Sequence, residues 1–294
     1  MKEPILYILN PVSGSGVDRE AILSSLERLA GDSPLEVFET KGKNDMDRIR
    51  EKIRTKKPDQ IWIGGGDGTI RMVVSALENL DIPLAIIPIG SANGLAKCLD
   101  INDTEDAFSA IKSGKTEKLD VLKINNDEIC LHLSDFGFNA GLIKKFEEEE
   151  TERGMMAYFR SSLRQFQEMK PYTFDFYIGG KETQVEAKML IIANGDRYGT
   201  GAIINPAGKI DDGKFEIIAL NPDGIDEMTE ISVAMFTGTL DESENVKIWS
   251  GNKAIINNPD GADFQIDGEV MPATEKIEVI CDPGKCRFFS LKQD

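Results

Sequence analysis

The sequence predicts an α/β protein in two parts: a three-layer domain on a parallel sheet, followed by a β-rich domain of antiparallel sandwich or open-barrel type. Three observations support this. Short apolar runs alternate with amphipathic helical stretches over roughly the first 120 residues. Three glycine-rich turns each follow one of those runs. After about Val121 the texture changes to short strand-like segments bounded by Gly, Asn, Asp or Pro.

The first part reads in order as follows. Ile5 to Asn10 is a strand, and Arg19 to Leu29 is a helix with apolar positions at Ile22, Leu26 and Leu29. Leu35 to Thr40 is the second strand and Asp45 to Lys56 the second helix. Ile61 to Gly64 is a third strand, Thr69 to Leu80 a helix and Leu84 to Pro88 a fourth strand. Strands separated by helices pair in parallel through crossovers, and such sheets bind ligands at the strand carboxyl ends. In the second part the expected strands are Val121 to Asn125, Glu128 to Leu133, Thr173 to Ile178, Gln184 to Asn194, Lys214 to Leu220, Lys247 to Ser250, Lys253 to Asn257, Asp263 to Ile266 and Lys276 to Cys281. Helical stretches at Leu142 to Phe166 and Ile225 to Thr237 interrupt them. The domain limits are placed at 1–122, rejoined by 284–294, and at 123–283.

Composition excludes several classes. At 294 residues, with 40% apolar and 29% charged side chains, the chain has the balance of a globular protein. No apolar run reaches transmembrane length, and the one in MKEPILYILN is too short for a signal peptide. A net charge of −17 argues against a nucleic-acid partner, which needs a basic surface. It also disfavours nonspecific adhesion to anionic membranes. Lys144, Lys145, Arg153, Arg160 and Arg164 could form a local basic face, although a solvated helix face is the simpler reading. Cys98, Cys130, Cys281 and Cys286 do not form a metal-ligand series and are expected to be free thiols in a reducing cytoplasm. Asp-Pro-Gly-Lys between Cys281 and Cys286 is a turn sequence, which would bring these two together across a hairpin. The lone His132 is assigned a structural role.

Chemistry concentrates in the glycine turns. Asn10-Pro11-Val12-Ser13-Gly14-Ser15-Gly16, Gly64-Gly65-Gly66-Asp67-Gly68-Thr69 and Pro88-Ile89-Gly90-Ser91-Ala92-Asn93-Gly94 each leave a strand and enter a helix. Glycine lets the backbone approach a phosphate closely, and helix amino termini favour anions. Three such loops at adjacent strand ends make a phosphate cradle. None has the Walker or the dinucleotide GxGxxG pattern. The acid of Asp67 does not suit a phosphate by itself; it implies a metal, a hydroxyl or a transferable proton.

Together these motifs resemble the diacylglycerol kinase catalytic-domain family, which includes bacterial lipid kinases and sphingosine kinases. The resemblance continues through Leu119-Asp120-Val121, Gly154-Met155-Met156-Ala157-Tyr158, Ile192-Ala193-Asn194-Gly195, Tyr198-Gly199-Thr200-Gly201, Pro206, Asp211-Asp212-Gly213 and Gln265-Ile266-Asp267-Gly268-Glu269, and so covers nearly the whole chain. It implies a nucleotide-binding α/β domain like that of NAD kinases and phosphofructokinases, a second β-sandwich domain, and ATP-dependent phosphorylation of a lipid hydroxyl in a cleft between the two.

By match to the family motifs, Asn10, Pro11, Ser13, Gly14, Thr40, Gly65, Gly66, Asp67, Gly68, Thr69, Ser91, Asn93 and Lys97 would bind ATP. Glu269 would be the general base, with Asp267 beside it and Asp67 and Asp120 in the catalytic acid and metal network. Asp212, with main-chain carbonyls of Lys209 and Lys214, would hold a structural Mg2+. The lipid would be met at the membrane surface by a cytoplasmic protein with transient peripheral association and no transmembrane segment, and the family is compatible with a homodimer. Phe136, Phe138, Phe146, Met155, Met156, Tyr158, Phe159 and Phe166 are candidate walls of an apolar slot, with core packing as the alternative.

The chain also departs from the family pattern. Ile70-Arg71-Met72 stands where an Asn-Glu pair is usual, Gly94 where Asp is common, and Asn139 where GFDA has Asp; Asp135 lies close enough in sequence to compensate. Two other readings therefore stay open: a kinase of a soluble alcohol or NAD-like substrate, and a nucleotide- or lipid-binding module with weak turnover.

Overall fold

A computed structural model describes residues 4–14, 16–125, 127–137, 169–198 and 201–292. The chain divides into two compact units, Met1–Leu119 with Gly284–Asp294, and Asp120–Pro283.

Unit 1 is built from β1 (Ile5–Leu9), α1 (Arg19–Ala30), β2 (Leu35–Glu39), α2 (Asp45–Lys56), β3 (Gln60–Gly65), α3 (Asp67–Leu77), β4 (Leu84–Pro88), α4 (Gly94–Cys98) and α5 (Thr104–Ser113). Its strands pair in parallel in the order β2-β1-β3-β4. All residues of β1 and β4 are buried, which explains their continuous apolar runs: helices cover both faces of a parallel sheet. Helix α1 turns Ile22 and Leu26 inward, begins at Asp18, whose carboxylate accepts the Ala21 amide, and ends at Gly31. Helix α5 has the same grammar, with Asp103 accepting the Asp106 amide and Gly114 in the left-handed region; it was not among the expected elements.

Strand order places the functional edge. The chain goes from β1 outward to β2 and then returns to β3 on the other side of β1, so the loops after β1 and β3 diverge at a topological switch point. Leu9 lies opposite Gly64, and Gly65 opposite Pro88, so all three glycine loops leave the sheet at one level.

Unit 2 contains β6 (Glu128–Cys130), β7 (Leu133–Gly137), β8 (Tyr172–Ile178), β9 (Lys181–Ala187), β10 (Met189–Ala193), β11 (Phe215–Leu220), α6 (Ile225–Thr237), β12 (Val246–Gly251), β13 (Lys253–Asn257), β14 (Phe264–Ile266) and β15 (Glu269–Val270). Strands β5 (Thr116–Ile124) and β16 (Lys276–Phe289) contribute to it and continue into unit 1. One antiparallel sheet runs β12-β11-β10-β7-β14-β15. The other runs β16-β13-β8-β9, with β6 joined through β5. Phe136, Phe174, Phe215, Phe264 and aliphatic residues of both sheets form the core of a β-sandwich. On the outer face of the six-stranded sheet, Leu133, Ile191 and Ile218 meet Ile231 and Ala234 of α6.

Three expectations are corrected. Glu128 to Leu133 is not one strand but the whole of β6, a two-residue break and the first residue of β7. Gln184 to Asn194 divides at the buried Lys188 into β9 and β10, which belong to different sheets, so the chain turns a sandwich corner inside an apparently continuous run. Cys281 and Cys286 do not face each other across a hairpin. β16 continues through Pro283 and through Gly284, at φ 59°, a local irregularity rather than a reversal. The two positions lie five residues apart on the same strand, and all four cysteines are buried and outside any disulfide.

Phe136 is fully buried and stacks on Phe264 with ring centroids 4.4 Å apart. Phe136→Ala is expected to lower the unfolding free energy by about 3–5 kcal/mol in urea titrations.

Candidate active site

In unit 1 the three loops lock together. The Asn10 side chain donates to the Thr69 hydroxyl at 3.1 Å and accepts the Val12 amide at 3.2 Å, tying the first loop to the second. A Cβ on Gly90 would lie 2.4 Å from the Gly66 Cα, and one on Gly14 would lie 2.6 Å from the Ile89 carbonyl oxygen. Backbones that close require glycine. Asn93, in the left-handed region at φ 52°, closes the third loop by accepting the Gly90 amide at 3.0 Å and donating to the Gly90 carbonyl at 2.7 Å.

Asp67 opens α3 and fastens the second loop to the third. Its Oδ2 accepts the Gly94 amide at 2.8 Å and its Oδ1 the Leu95 amide at 3.0 Å. The acid without an obvious partner is thus a backbone clamp, and each oxygen retains further acceptor capacity for a metal or donor. Gly68 and Thr69 follow in the first turn of α3, with Thr69 buried. Thr40 is buried just beyond β2, its amide on the Leu9 carbonyl. Pro11 and Ser13 are partly exposed in the first loop, Ser91 is exposed in the third, and Lys97 lies on α4. One cation escaped the sequence reading: Arg19, the first residue of α1, donates to the Ser13 carbonyl at 3.3 Å. A basic residue opening the helix after a glycine loop is the signal that could have found it.

In unit 2 the expected catalytic pair has two distinct environments. Asp267 sits at φ 48°, and its carboxylate accepts the amides of Leu131 and His132 at 2.9 Å and of Leu133 at 3.3 Å. Its own amide donates to the Leu133 carbonyl. Asp267 therefore pins the turn between β14 and β15, and His132 is a buried part of that anchor. Glu269, first residue of β15, is exposed. A pinned turn with an exposed acid on it suits proton acceptance from a substrate hydroxyl.

Asp120 is buried; its carboxylate accepts the Gly213 amide at 2.6 Å, and its amide donates to the Ile210 carbonyl. Asp212 is exposed and accepts the Lys214 amide at 3.0 Å; Lys209 and Lys214 are exposed on either side. Burial pushes the Cys281 thiol up to about 12, assisted by the charges of Asp120, Asp212 and Asp282. These residues offer a hard cation the exposed carboxylate of Asp212. They do not form a carboxylate cage: among the described residues no group of three or more His, Cys, Asp or Glu side chains could hold a metal.

Asp135 is buried and accepts a hydrogen bond from Gln265 Nε2. Phe136 lies in the sandwich core, not in a slot. The remaining slot candidates, the suggested basic face, the helical stretch Leu142 to Phe166 and Asn139 lie outside the described residues.

The comparisons with known proteins agree with this arrangement. Residues 4–124 match the diacylglycerol kinase catalytic domain, and residues 134–289 match the YegS C-terminal NAD kinase beta sandwich-like domain. A Citrobacter koseri protein named "Probable lipid kinase YegS-like" is 26% identical over 96% of this chain and 95% of its own. A Synechocystis protein without assigned function, sll0036, is 29% identical over 96% of this chain and 69% of its own. A Bacillus anthracis crystal structure titled as a diacylglycerol kinase superposes with a TM-score of 0.75 at 23% identity, covering 98% and 97% of the two chains, which shows the shared fold. A diacylglycerol kinase catalytic domain followed by this sandwich domain marks a kinase. The chain belongs to the YegS-like lipid kinase family.

Two outcomes follow from this geometry. Asp67→Ala leaves two amides without their acceptor and is expected to cost about 1–3 kcal/mol, read by urea unfolding, with faster hydrogen exchange at Gly94 and Leu95. Burial pushes the Asp135 carboxyl up from 3.8 to about 7. The folded chain then keeps a proton that the unfolded chain releases across this window. Stability is unaffected below about pH 4 and falls as pH rises toward and through about 7, by about 4 kcal/mol in all. Unfolding at about pH 5 and about pH 8 should show this slope, and Asp135→Asn should flatten it.

Proposed function

We propose that this chain transfers the γ-phosphoryl group of ATP, with Mg2+, to the hydroxyl of a lipid of the diacylglycerol type. The observation that carries the reading is the complete three-loop assembly at the switch point, in which Asn10–Thr69, Gly66–Gly90 and Asp67–Gly94 contacts hold backbone amides in fixed places. Phosphoryl transfer demands positioning and charge neutralisation more than covalent chemistry. The loops orient the polyphosphate through their amides, and Arg19 and Lys97 add positive charge nearby. Glu269 accepts the proton of the attacking hydroxyl as its oxygen bonds to the γ-phosphorus, while the bond from that phosphorus to the β–γ bridging oxygen breaks and ADP leaves. Magnesium, when bound, supplies neutralisation of phosphate charge, and Asp212 with its neighbouring carbonyls is the set we assign to hold a cation.

A lipid acceptor is favoured over a soluble alcohol because residues 4–124 match the diacylglycerol kinase catalytic domain and relatives aligned over nearly the whole chain are named probable lipid kinases. Among the described residues no helix is long and apolar enough to cross a membrane. We propose that the lipid is met by transient contact with the bilayer surface.

Labelled ATP with magnesium and a panel of diacylglycerol, monoacylglycerol, sphingosine and NAD tests the reading. Phosphorylated diacylglycerol or a related lipid is expected. Glu269→Gln should reduce turnover by about 10²–10⁴-fold while nucleotide affinity, measured by calorimetry, stays close to wild type. ATP binding without phosphorylation of any lipid would overturn the kinase assignment, and phosphorylation of NAD alone would redirect it to a soluble substrate.

A further inference from the structure

We propose that Asp135 and Gln265 form a positioning pair for the turn that carries Glu269. This rests on the assignment of Glu269 as the base under the proposed function, but its structural half can be tested without it.

The two side chains come from residues 130 apart in sequence and meet as a direct cross-strand pair: Gln265 of β14 lies opposite Asp135 of β7. On its other side Gln265 lies opposite Val270, the residue after Glu269, and Ile266 lies opposite Glu269 itself. Strand β14 is three residues long and β15 two, and β15 is exposed. So short a hairpin depends on its anchors. Asp267 supplies one by holding the amides of 131–133, and Gln265 supplies the other.

The environment shows what the pair does with its proton. Asp135 is buried on the face that carries Leu133 and Ile191, where α6 contributes Ile231 and Ala234. Ile191 is its neighbour on β10 and Gln265 on β14. Tyr198 senses its charge: the tyrosine hydroxyl is buried without a hydrogen-bond partner and held well above its usual range by burial and then by Asp135. Gln265 Oε1 is likewise buried without a donor. A neutral carboxyl beside an amide can supply that donor. It accepts from Nε2 and donates its O–H to Oε1, closing a pair in which neither side chain leaves a buried polar atom unmatched. An ionised carboxylate accepts only, and Oε1 stays unmatched. The Asp135–Gln265 anchor therefore consists of two bonds in the protonated state and of one after ionisation, while the amides held by Asp267 are the same in both.

The test uses the full-length protein and follows amide hydrogen exchange of residues 265–270 by mass spectrometry from about pH 6 to about pH 8.5, corrected for intrinsic exchange. Wild type should lose roughly tenfold protection across this range, the equivalent of one buried hydrogen bond. Asp135→Asn, which can donate and accept at any pH, should keep the protection and lose its pH dependence. Gln265→Met, similar in volume and unable to pair, should be unprotected throughout. In lipid phosphorylation assays Gln265→Met should lower kcat roughly tenfold or more through misplacement of the base, with KM for ATP unchanged. Equal protection in wild type and Gln265→Met, or the same pH dependence in wild type and Asp135→Asn, would overturn the proposal. If wild type phosphorylates no lipid, the kinase assignment fails separately and the exchange data alone decide the positioning role.

Discussion

Both oxygens of Asp67 accept backbone amides from the loop after β4, and much of the unit 1 binding edge follows from that clamp. To bring Gly94 and Leu95 to the carboxylate, the third loop must pass against the second, which puts Gly90 on top of Gly66 at a distance no side chain tolerates. Asn93 must then take a left-handed conformation and close the loop on Gly90 by two hydrogen bonds. The glycines do more than leave space for a phosphate. They let three loops share one small volume, and the parallel register of β1, β3 and β4 delivers them there at the same height.

What was legible in the sequence was what depends on local chemistry. Apolar runs marked β1, β3 and β4 because burial on both faces leaves no alternative pattern, and α2 was read to the residue from Asp45 to Lys56. Helix α5 was missed although Asp103 and Gly114 cap it; the residues it buries are the small Ala107 and Ala110, with Phe108 and Ile111 half-buried beside them. The division of Gln184 to Asn194 was invisible because a chain that changes sheets can keep its strand-like pattern through the corner; only the sheet pairing separates β9 from β10.

The roles of the acids were the least legible, since each depends on a partner remote in sequence. Asp67 finds its amides 27 and 28 residues away, and Asp267 finds its own more than 130 residues away. Asp267 was expected beside the base as part of the chemistry; its hydrogen bonds give it a structural task on the same turn. Sequence placed it next to Glu269 correctly and had no means of showing that its oxygens point at 131–133.

This division of labour bears on the acids that the family pattern has and this chain lacks. Gly94 takes the place of an acid, yet what Asp67 uses at that position is the main-chain amide, which any residue except proline provides. The loop clamp is therefore insensitive to the change. What the change removes is negative charge at the edge where the polyphosphate is proposed to lie, and Met72 in place of an acid removes more. Asp120, Asp212 and Asp282 are retained in unit 2, close enough together that all three raise the Cys281 thiol. On the proposed reading, unit 1 binds phosphate through amides with less demand on carboxylates, and the charge suited to a cation is concentrated around Asp212. On that reading the absence of acids at 72 and 94 bears on phosphate charge in unit 1, and the amide contacts that pin the turn of Glu269 do not involve it.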